Sequence, residues 1–342
     1  MHAVIFPEPN KVDFVDVPIP ILGEREVLVR SQATSISPGT ELLVLQGKLP
    51  LIQRGEKTYP LVPGYENCGE VVELGSAVST LKVGDVVFCE GNSSLPGLTS
   101  CWGGHCEYVR VPEQEAFQVP MNLTPEEATF TCLTATGLHA AQRGKVGVGD
   151  TVVIYGQGIL GLLALQAARL AGADSLVAVD LFDGRLQLAR ELGASECINA
   201  SQEDPLARIM DLTGGQGADV VIEATGSAEL AARAPLACRD RGRLVLLGMY
   251  SQPLCFDYWD LYPREIDIYS SRGAGPKINV PPVYYRWTWT RSYKESLRLI
   301  STGRVRVAPL ITHRFPIAEI QQGYQALLGC PSATLKVMLH WR

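Results

Sequence analysis

The stretch VVIYGQGILGLLALQAA, residues 152–168, joins a continuous apolar run, a glycine-rich turn and a helical pattern. Its glycines have the spacing G-x-G-x-x-G at Gly156, Gly158 and Gly161. In such a turn the first glycine permits a tight bend, the second lets a pyrophosphate approach the backbone, and the third lets the helix pack closely on its strand. A helix beginning near Ile159 directs free N–H groups and a positive dipole end at phosphates. We therefore predict that this turn binds a dinucleotide.

A carboxylate at the end of the next predicted strand indicates which dinucleotide is bound. The run SLVAVD ends at Asp180, 19 residues after Gly161. A carboxylate in this place accepts hydrogen bonds from the adenosine ribose hydroxyls and repels a 2′-phosphate. We therefore expect NAD(H), with NADP(H) less favoured. Two alternatives stay open: Arg185 can neutralise Asp180 or meet a phosphate, and Asp180 can be only a surface carboxylate beside a helix.

The two halves of the chain carry different periodicities. Up to about residue 120, short runs such as EVLVRSQATSI and GDVVFCEG are separated by Gly/Pro turns, which is typical of a barrel-like β domain. From Asp150 onward, apolar runs alternate with helical patterns, which indicates a parallel sheet covered on both faces. Between them, Thr124, Pro125 and Glu127 have the pattern of a helix N-terminus with a capping box. The sequence thus predicts a two-domain α/β protein, and TLKVMLHW predicts a last strand that rejoins the first domain.

The composition argues against several classes of function. The 342 residues carry a net charge of −6, whereas a nucleic-acid surface needs a basic footprint. The N-terminus lacks the basic and apolar regions of a signal peptide, and the longest apolar stretch contains Gln166 and Arg169. Nine scattered cysteines fit reduced thiols better than a disulfide framework. We expect a cytoplasmic protein that binds a small-molecule substrate and neither nucleic acid nor a membrane.

Four blocks that together span nearly the whole chain resemble the medium-chain dehydrogenase/reductase superfamily, in particular its zinc-type alcohol and polyol dehydrogenases. They are PLVPGYENCGEVVELG, GGHCEYVRVP, VGVGDTVVIYGQGILGLLALQAARLAGA and PLITHRFPIAEIQQGYQALL. The resemblance implies a GroES-like β-barrel catalytic domain over 1–132 and 291–342, and a Rossmann domain with a doubly wound parallel sheet over 133–290. It also implies an active site in the cleft, hydride transfer between a nicotinamide and a carbonyl or alcohol, and a homodimer.

The resemblance extends the cofactor site beyond the glycine turn. It places Thr136 on the nicotinamide side, and Thr225 and Gly248 after strands at the carboxyl edge of the sheet. Residues 270–290 combine glycines with aromatic residues and arginines, which predicts a substrate lid, a subunit interface or a surface loop packed on its own core. The complete predicted cofactor set is Gly156, Gly158, Ile159, Leu160, Gly161, Asp180, Arg185, Thr136, Thr225, Gly248 and Arg272.

The positions that hold catalytic zinc in this family carry other residue types here. The first falls on Ser37 or Pro38, depending on the direction of counting, instead of a cysteine. The second is Tyr65 instead of a histidine, followed by the Glu66 that matches the family's glutamate, and the third matches Cys132. Zinc sites need three or four Cys, His or carboxylate ligands. We therefore expect no catalytic zinc, unless a rearranged site recruits another ligand.

Without a metal, an acid or base in the protein must exchange the proton of the alcohol. The resemblance places Tyr65 where a metal ligand faces the substrate, and Thr40 at the proton-relay hydroxyl. A phenol with a pKa of about 10 needs a positive charge nearby to help at neutral pH. We predict Tyr65, Thr40 and Glu66 as the catalytic residues. The alternatives are that Tyr65 only fills the volume of the lost zinc, Thr40 only stabilises a turn, and Glu66 only pairs with an arginine.

Three functions follow from these residues and from the resemblance. The first is an NAD(H)-dependent oxidoreductase that interconverts a secondary alcohol and a ketone without zinc, on a polyol, sugar or sugar-like metabolite. The second comes from ISPGTE and PGYE, which also resemble the zinc-lacking bacteriochlorophyllide dehydrogenases that oxidise a hydroxyethyl group. The third is a cofactor-binding protein without catalysis. Cofactor-dependent turnover separates the first two from the third.

Overall fold

The computed structural model describes residues 1–92, 95–273 and 287–341. Its strands are β1 (His2–Ile5), β2 (Asp13–Asp16), β3 (Glu26–Ile36), β4 (Leu61–Val62), β5 (Asn67–Leu74), β6 (Val86–Cys89), β7 (Thr99–Ser100), β8 (Tyr108–Pro112), β9 (Phe117–Gln118), β10 (Thr151–Tyr155), β11 (Ser175–Asp180), β12 (Glu196–Asn199), β13 (Ala218–Glu223), β14 (Cys238–Leu246), β15 (Asp267–Ser270), β16 (Ile311–Pro316) and β17 (Lys336–His340). Its α-helices are α1 (Thr40–Leu45), α2 (Pro50–Gln53), α3 (Pro125–Thr129), α4 (Thr131–Arg143), α5 (Ile159–Ala171), α6 (Asp183–Glu191), α7 (Pro205–Leu212), α8 (Ala228–Arg233), α9 (Tyr258–Leu261), α10 (Trp289–Ser301) and α11 (Ile320–Gly329).

The chain divides into two compact units. Unit 1 contains Met1–Cys132, Ser296–Thr302 and Val307–Arg342, and unit 2 contains Leu133–Glu295 and Gly303–Arg306. The division places the second boundary at Ser296, inside α10, whereas the sequence predicted it at residue 291. Most of the predicted loop 270–290 lies outside the described residues.

The main sheet of unit 1 has seven strands and is built around β3. Six strands follow the order β16-β17-β3-β5-β6-β9, and β8 also pairs with β3. β17 runs antiparallel to β3, with Val337 opposite Ile36. The predicted return of the C-terminal strand to the first domain is therefore confirmed. Ile36 and Val337 lie in one buried apolar cluster of unit 1, and Val27 and Val71 lie in another.

The sheet of unit 2 has six parallel strands in the order β12-β11-β10-β13-β14-β15. This is the strand order of doubly wound dinucleotide-binding sheets. The chain adds strands outward from β10 on one side, to β11 and β12, and then continues on the other side from β13 to β15. Residues 152–154 of β10 and 220–222 of β13 are apolar and fully buried, as expected for central strands of a sheet that helices cover on both faces. The predicted α/β class with a parallel sheet in the second domain is confirmed.

Local sequence signals fix several helix ends. Thr124 and Glu127 form the predicted capping box at the start of α3. α5 begins after Gly158 and ends at Gly172, whose φ of 104° is in the left-handed region that glycine adopts readily.

In the described ranges, no helix is long and apolar enough to cross a membrane. All nine cysteines are in the described part of the chain, and none forms a disulfide.

Candidate active site

Tyr65 lies between β4 and β5 of unit 1, in a cluster of hydroxyl groups. Its side chain is 9% exposed, and its hydroxyl is hydrogen-bonded to Ser37 Oγ. Thr40, the first residue of α1, also hydrogen-bonds to Tyr65 through its side chain. The Trp102 ring lies against the phenol, with 5.1 Å between the ring centroids. The fold thus brings Tyr65, Ser37 and Thr40 together, and we call these three residues the hydroxyl cluster.

The surroundings of Tyr65 favour its protonated form. Burial raises the pKa of the phenol well above its ordinary value, and the nearby Glu66 and Cys132 raise it further. The hydrogen bonds from Ser37 and Thr40 act in the opposite direction but are smaller effects. A positive charge beside this phenol would lower its pKa, but the neighbours that act on it here are Glu66 and Cys132, which raise it. Tyr65 is therefore suited to donate a proton rather than to remove one.

Glu66 is fully buried and pairs with a lysine from the end of the chain. Its Oε2 accepts hydrogen bonds from Lys336 Nζ and from Ser35 Oγ, while Oε1 is buried with no hydrogen-bond partner. Burial raises the pKa of the Glu66 carboxyl, and Lys336 and Ser35 lower it. The partner is thus a lysine, not the arginine named as an alternative. Sequence reasoning missed Lys336, because it lies 270 residues from Glu66.

A second buried carboxylate supports the same cluster. Glu41 Oε1 accepts the main-chain N–H of Ser37 at 2.8 Å, and its Oε2 lies 2.9 Å from His105 Nε2. Tyr324 donates its hydroxyl to Glu41 Oε2 at 2.9 Å. Both Glu41 and His105 are fully buried. Glu41 therefore holds the backbone that positions Ser37, and its own partners come from distant parts of the chain.

The residues at the family's zinc positions do not form a zinc donor set. Tyr65 and Ser37 are hydrogen-bonded to each other, and Glu66 is engaged by Lys336. His105, a further possible ligand, is paired with Glu41 instead. Across the described ranges, no group of three or more His, Cys, Asp and Glu side chains is arranged to hold a metal ion. These donors therefore do not fit the zinc site of the family.

The glycine turn of unit 2 has the close packing that the spacing predicted. Gly156 has a φ of 87°, and a Cβ at Gly161 would lie 1.7 Å from the Gly156 carbonyl oxygen. A Cβ at Gly158 would meet nothing within 4 Å, so the backbone there is open to a ligand. Gly158 is also the residue that precedes α5, whose first residues are Ile159 and Leu160. The turn therefore presents the start of α5 as the sequence predicted.

Asp180 ends β11 beside this turn and binds its backbone. Its Oδ2 accepts the N–H of Gln157 at 2.6 Å, and its Oδ1 accepts the N–H groups of Leu181 at 2.8 Å and Phe182 at 3.0 Å. Arg185 Nη1 lies 3.9 Å from Oδ2, close enough to neutralise part of its charge, which was one of the two alternatives for this residue. Three N–H groups therefore fix the Asp180 carboxylate beside the glycine turn.

The remaining predicted cofactor residues lie in three places. Thr225 and Gly248 are brought together by Glu223, which accepts the Thr225 N–H at 2.7 Å and, through its main-chain oxygen, the Gly248 N–H at 2.9 Å. Thr136 is buried in α4. Arg272 is exposed after β15, the edge strand, which β13 and β14 separate from β10. Thr225 and Gly248 therefore lie together after the carboxyl ends of β13 and β14. Arg272 follows β15, which is the strand farthest from β10 on that side of the sheet.

Two family models match the chain, one in each unit. The model described as "Alcohol dehydrogenase GroES-like domain" matches residues 23–121, and that described as "Zinc-binding dehydrogenase" matches residues 160–287. The first match confirms the GroES-like domain predicted for the N-terminal part. The second match is to a model named for zinc binding, although the residues at the zinc positions of this chain do not form a zinc donor set.

The chain is also similar to dehydrogenases along nearly its whole length. The chain is 31% identical over 334 residues to an L-threonine 3-dehydrogenase of Symbiobacterium thermophilum, covering 91% of this chain and 90% of the relative. It is 26% identical to a sorbitol dehydrogenase of Bacillus subtilis, covering 99% and 97%. A solved structure described as a putative zinc-binding dehydrogenase from Sinorhizobium meliloti, bound to NADP, has a TM-score of 0.82 at 26% identity and covers 99% of each chain.

Proposed function

The chain belongs to the zinc-type alcohol dehydrogenase-like members of the medium-chain dehydrogenase/reductase superfamily, and we propose that it interconverts a secondary alcohol and a ketone with NAD(H) and without catalytic zinc. Its relatives make it an oxidoreductase of the alcohol and polyol dehydrogenase type that uses a nicotinamide cofactor. The zinc-free part of the proposal is carried by one observation. Tyr65 stands at the family's histidine position with its hydroxyl bonded to Ser37.

Ketone reduction needs a proton at the oxygen that becomes the alcohol. When bound, a reduced nicotinamide supplies the hydride. Tyr65 holds its proton throughout the neutral range, since burial and Glu66 both raise the pKa of the phenol. It donates that proton to the forming alkoxide, and a proton from solvent replaces it, relayed by the partly exposed Thr40 or by Ser37 within the hydroxyl cluster. The residues of unit 1 are therefore better suited to reduction than to alcohol oxidation.

The preference for NAD(H) rests on Asp180. Its carboxylate is held by three backbone N–H groups at the end of β11, so it cannot move away from a 2′-phosphate without breaking them. Arg185 at 3.9 Å offsets part of this charge. The Sinorhizobium meliloti relative was solved with NADP, so the cofactor must be measured for this chain. We propose NADH as the better donor.

The substrate class is proposed from a relative. A sorbitol dehydrogenase is similar to this chain along nearly its whole length, and sorbitol is a polyol with secondary alcohol groups. We propose a polyol, sugar or sugar-like ketone as the substrate, acted on in the cytoplasm by a homodimer. No observation in the described residues favours the tetrapyrrole alternative.

The test is a screen of ketones and secondary alcohols with NADH and NADPH, in buffer freed of metals, followed by Tyr65→Phe. We expect turnover with wild-type protein and a loss of about 100-fold or more in the variant, the usual contribution of a positioned proton donor. Tyr59→Phe is the matched control, because Tyr59 donates its hydroxyl to the Val44 carbonyl outside the hydroxyl cluster.

Three outcomes contradict parts of the proposal. Unchanged turnover and pH dependence in Tyr65→Phe remove Tyr65 from the chemistry. About one tightly held zinc per chain, found by elemental mass spectrometry, overturns the zinc-free mechanism. Tight NADH binding without turnover on any ketone or secondary alcohol supports the third function, a cofactor-binding protein.

A further inference from the structure

Trp102 of unit 1 adopts a backbone conformation that bulky residues rarely take. Its φ is 73°, in the left-handed region, where a bulky non-glycine residue is a genuine outlier. The other described non-glycine residues with positive φ are Asn10, Lys145, Arg241 and Glu265. All four are exposed polar or charged residues, whereas Trp102 is only partly exposed. Strain of this kind is concentrated at functional sites and persists only where the surrounding structure enforces it.

Contacts on both sides of Trp102 enforce this conformation. The N–H groups of Cys101 and Gly103 both donate to the Val62 carbonyl oxygen, at 2.9 and 3.1 Å, so the chain bulges outward at the residue between them. A Cβ at Gly91 would lie 2.2 Å from the Trp102 carbonyl oxygen, so a neighbouring segment also packs directly against this backbone. A bulge of this kind changes the direction of a side chain, and here that side chain is an indole.

The indole packs on Tyr65. The two ring centroids are 5.1 Å apart, within the favourable range for aromatic pairs, and the ring planes meet at 58°. The hydroxyl of Tyr65 belongs to the hydroxyl cluster, where it is bonded to Ser37 Oγ. The bulge at Trp102 therefore places an aromatic ring against the side chain that is the proposed proton donor.

The indole also carries a hydrogen-bond donor that the described residues do not use. Among them the N–H of Trp102 has no hydrogen-bond partner, and the side chain is partly exposed. By contrast, the indole of Trp341 in the same unit is buried and donates its Nε1–H to Thr34 Oγ1 at 3.1 Å. An indole N–H donates and cannot accept. Trp102 thus offers a ligand one donor together with an apolar ring.

The position of Trp102 defines which groups of a substrate it can recognise. A ketone oxygen that takes a proton from Tyr65 comes within about 2.8 Å of the phenol oxygen. The carbons bonded to the carbonyl then lie close to the ring that packs on the same phenol. A hydroxyl group on one of those carbons is an acceptor for the indole N–H, whereas a methyl group in its place leaves the donor without a partner.

We propose that Trp102 is a specificity-determining residue that selects α-hydroxy ketones, in which a hydroxyl group stands on a carbon next to the carbonyl. The indole N–H donates to that hydroxyl group, and the ring packs against the carbon chain. This inference rests on the proposed function for the reaction and narrows its substrate class. Oxidation of a secondary alcohol in a polyol gives a ketone of this kind, because polyol hydroxyl groups stand on neighbouring carbons.

The first experiment compares two ketones of the same shape. In 1,3-dihydroxyacetone a hydroxyl group stands on each side of the carbonyl, and in pentan-3-one a methyl group takes each of these places. The kcat and KM for reduction by NADH are measured with both ketones in wild type, Trp102→Phe and Trp259→Phe. Trp102→Phe keeps an aromatic ring and removes the N–H. Trp259→Phe is the matched control, because it makes the same change at a 69% exposed position on α9 of unit 2.

The variant should lose affinity for one ketone only. We expect Trp102→Phe to raise the KM for 1,3-dihydroxyacetone about 3- to 10-fold, the usual contribution of one hydrogen bond, and to leave the KM for pentan-3-one nearly unchanged. The kcat should stay nearly unchanged for both ketones, since the bond to the neighbouring hydroxyl group is made equally in the ground state and in the transition state. Trp259→Phe should match wild type with both ketones.

The second experiment does not need turnover. The indole N–H signals of wild-type protein labelled with nitrogen-15 tryptophan are followed by NMR while each ketone is added in the presence of NAD⁺. The signals are assigned by replacing each tryptophan in turn by phenylalanine. We expect the Trp102 signal to move downfield with 1,3-dihydroxyacetone and not with pentan-3-one, because only the first supplies an acceptor. The Trp341 signal should stay in place with both, since its N–H already donates to Thr34.

Each other outcome in the kinetics overturns the inference. An equal rise of KM for both ketones, or a rise for neither, shows that Trp102 packs on Tyr65 without recognising the hydroxyl group. A fall of kcat at unchanged KM shows that the ring positions Tyr65 instead. A Trp102 signal that does not respond to 1,3-dihydroxyacetone excludes the hydrogen bond, and this result is obtained even if Trp102→Phe fails to fold.

The two experiments together separate this inference from the proposed function. If the Trp102 signal moves as expected but neither ketone is reduced, the recognition of the hydroxyl group holds and the dehydrogenase proposal fails. If both ketones are reduced and Trp102→Phe does not discriminate between them, the dehydrogenase proposal stands and the role of Trp102 is refuted.

Discussion

Acid should destabilise unit 2 through one histidine, His139 on α4. The side chain is 7% exposed. Burial, and next the positive charge of Arg143, lower its pKa from the ordinary 6.5 to about 4, while a hydrogen bond with Gln142 opposes the shift. The folded protein therefore holds His139 neutral at pH values where the unfolded chain protonates it.

The sign and size follow from proton linkage. Since the folded pKa lies below the unfolded one, the contribution of His139 to stability is complete above pH 6.5 and is lost as the pH falls towards 4. One pKa unit corresponds to about 1.4 kcal/mol, so the whole effect is about 3 kcal/mol. Between pH 7 and pH 5 the free energy of unfolding should fall by about 2 kcal/mol through this residue.

The assay is urea unfolding of unit 2 at pH 7 and at pH 5 in wild type, His139→Gln and Arg143→Gln. The difference between the two pH values should be about 2 kcal/mol smaller in His139→Gln than in wild type. The difference in Arg143→Gln should lie between those of wild type and His139→Gln, because the pKa of His139 rises when the nearby cation is removed. The imidazole itself should titrate near pH 4 by NMR. Equal pH dependence in wild type and His139→Gln would show that His139 is not the residue through which acid acts.

The remaining predictions concern the cofactor turn and the thiols. Gly161→Ala should abolish NADH binding measured by fluorescence and lower the melting temperature, because its Cβ would lie 1.7 Å from a main-chain carbonyl oxygen. Gly184→Ala is the matched control: its Cβ meets nothing within 4 Å on α6, so it should bind NADH normally and gain about 0.5–1 kcal/mol from helix propensity. Asp180→Ala should weaken NADH binding and reduce the NADH over NADPH preference about tenfold, a change of about 1.4 kcal/mol; an unchanged ratio of the two dissociation constants argues against its role. Cys255 and Cys330, the exposed thiols, should react first with a thiol reagent in the native protein, and rapid modification of the buried cysteines contradicts the fold.

Much of the cofactor site could be predicted because its determinants are short-range. Gly156, Gly158 and Gly161 lie within six residues of sequence, and each is needed for a local turn or a close approach. Asp180 follows from its place at the end of the next apolar run. The capping box at Thr124 is equally local, since it joins residues three apart. These features could be read from the local sequence, because the dihedral angles and hydrogen bonds involved are contained in one turn.

The catalytic half could be predicted only in part. Resemblance singled out Tyr65, Thr40 and Glu66, and the fold brings them together. Their chemistry was decided by partners far along the chain: Lys336 lies 270 residues from Glu66, and Tyr324 lies 283 residues from Glu41. β17 delivers Lys336 by pairing with β3. The sequence predicted that this strand rejoins the first domain, but neither local propensity nor spacing records which strand it pairs with. Whether Tyr65 is an acid or a base depends on the burial and the charges around it, and those exist only once the tertiary structure has excluded water.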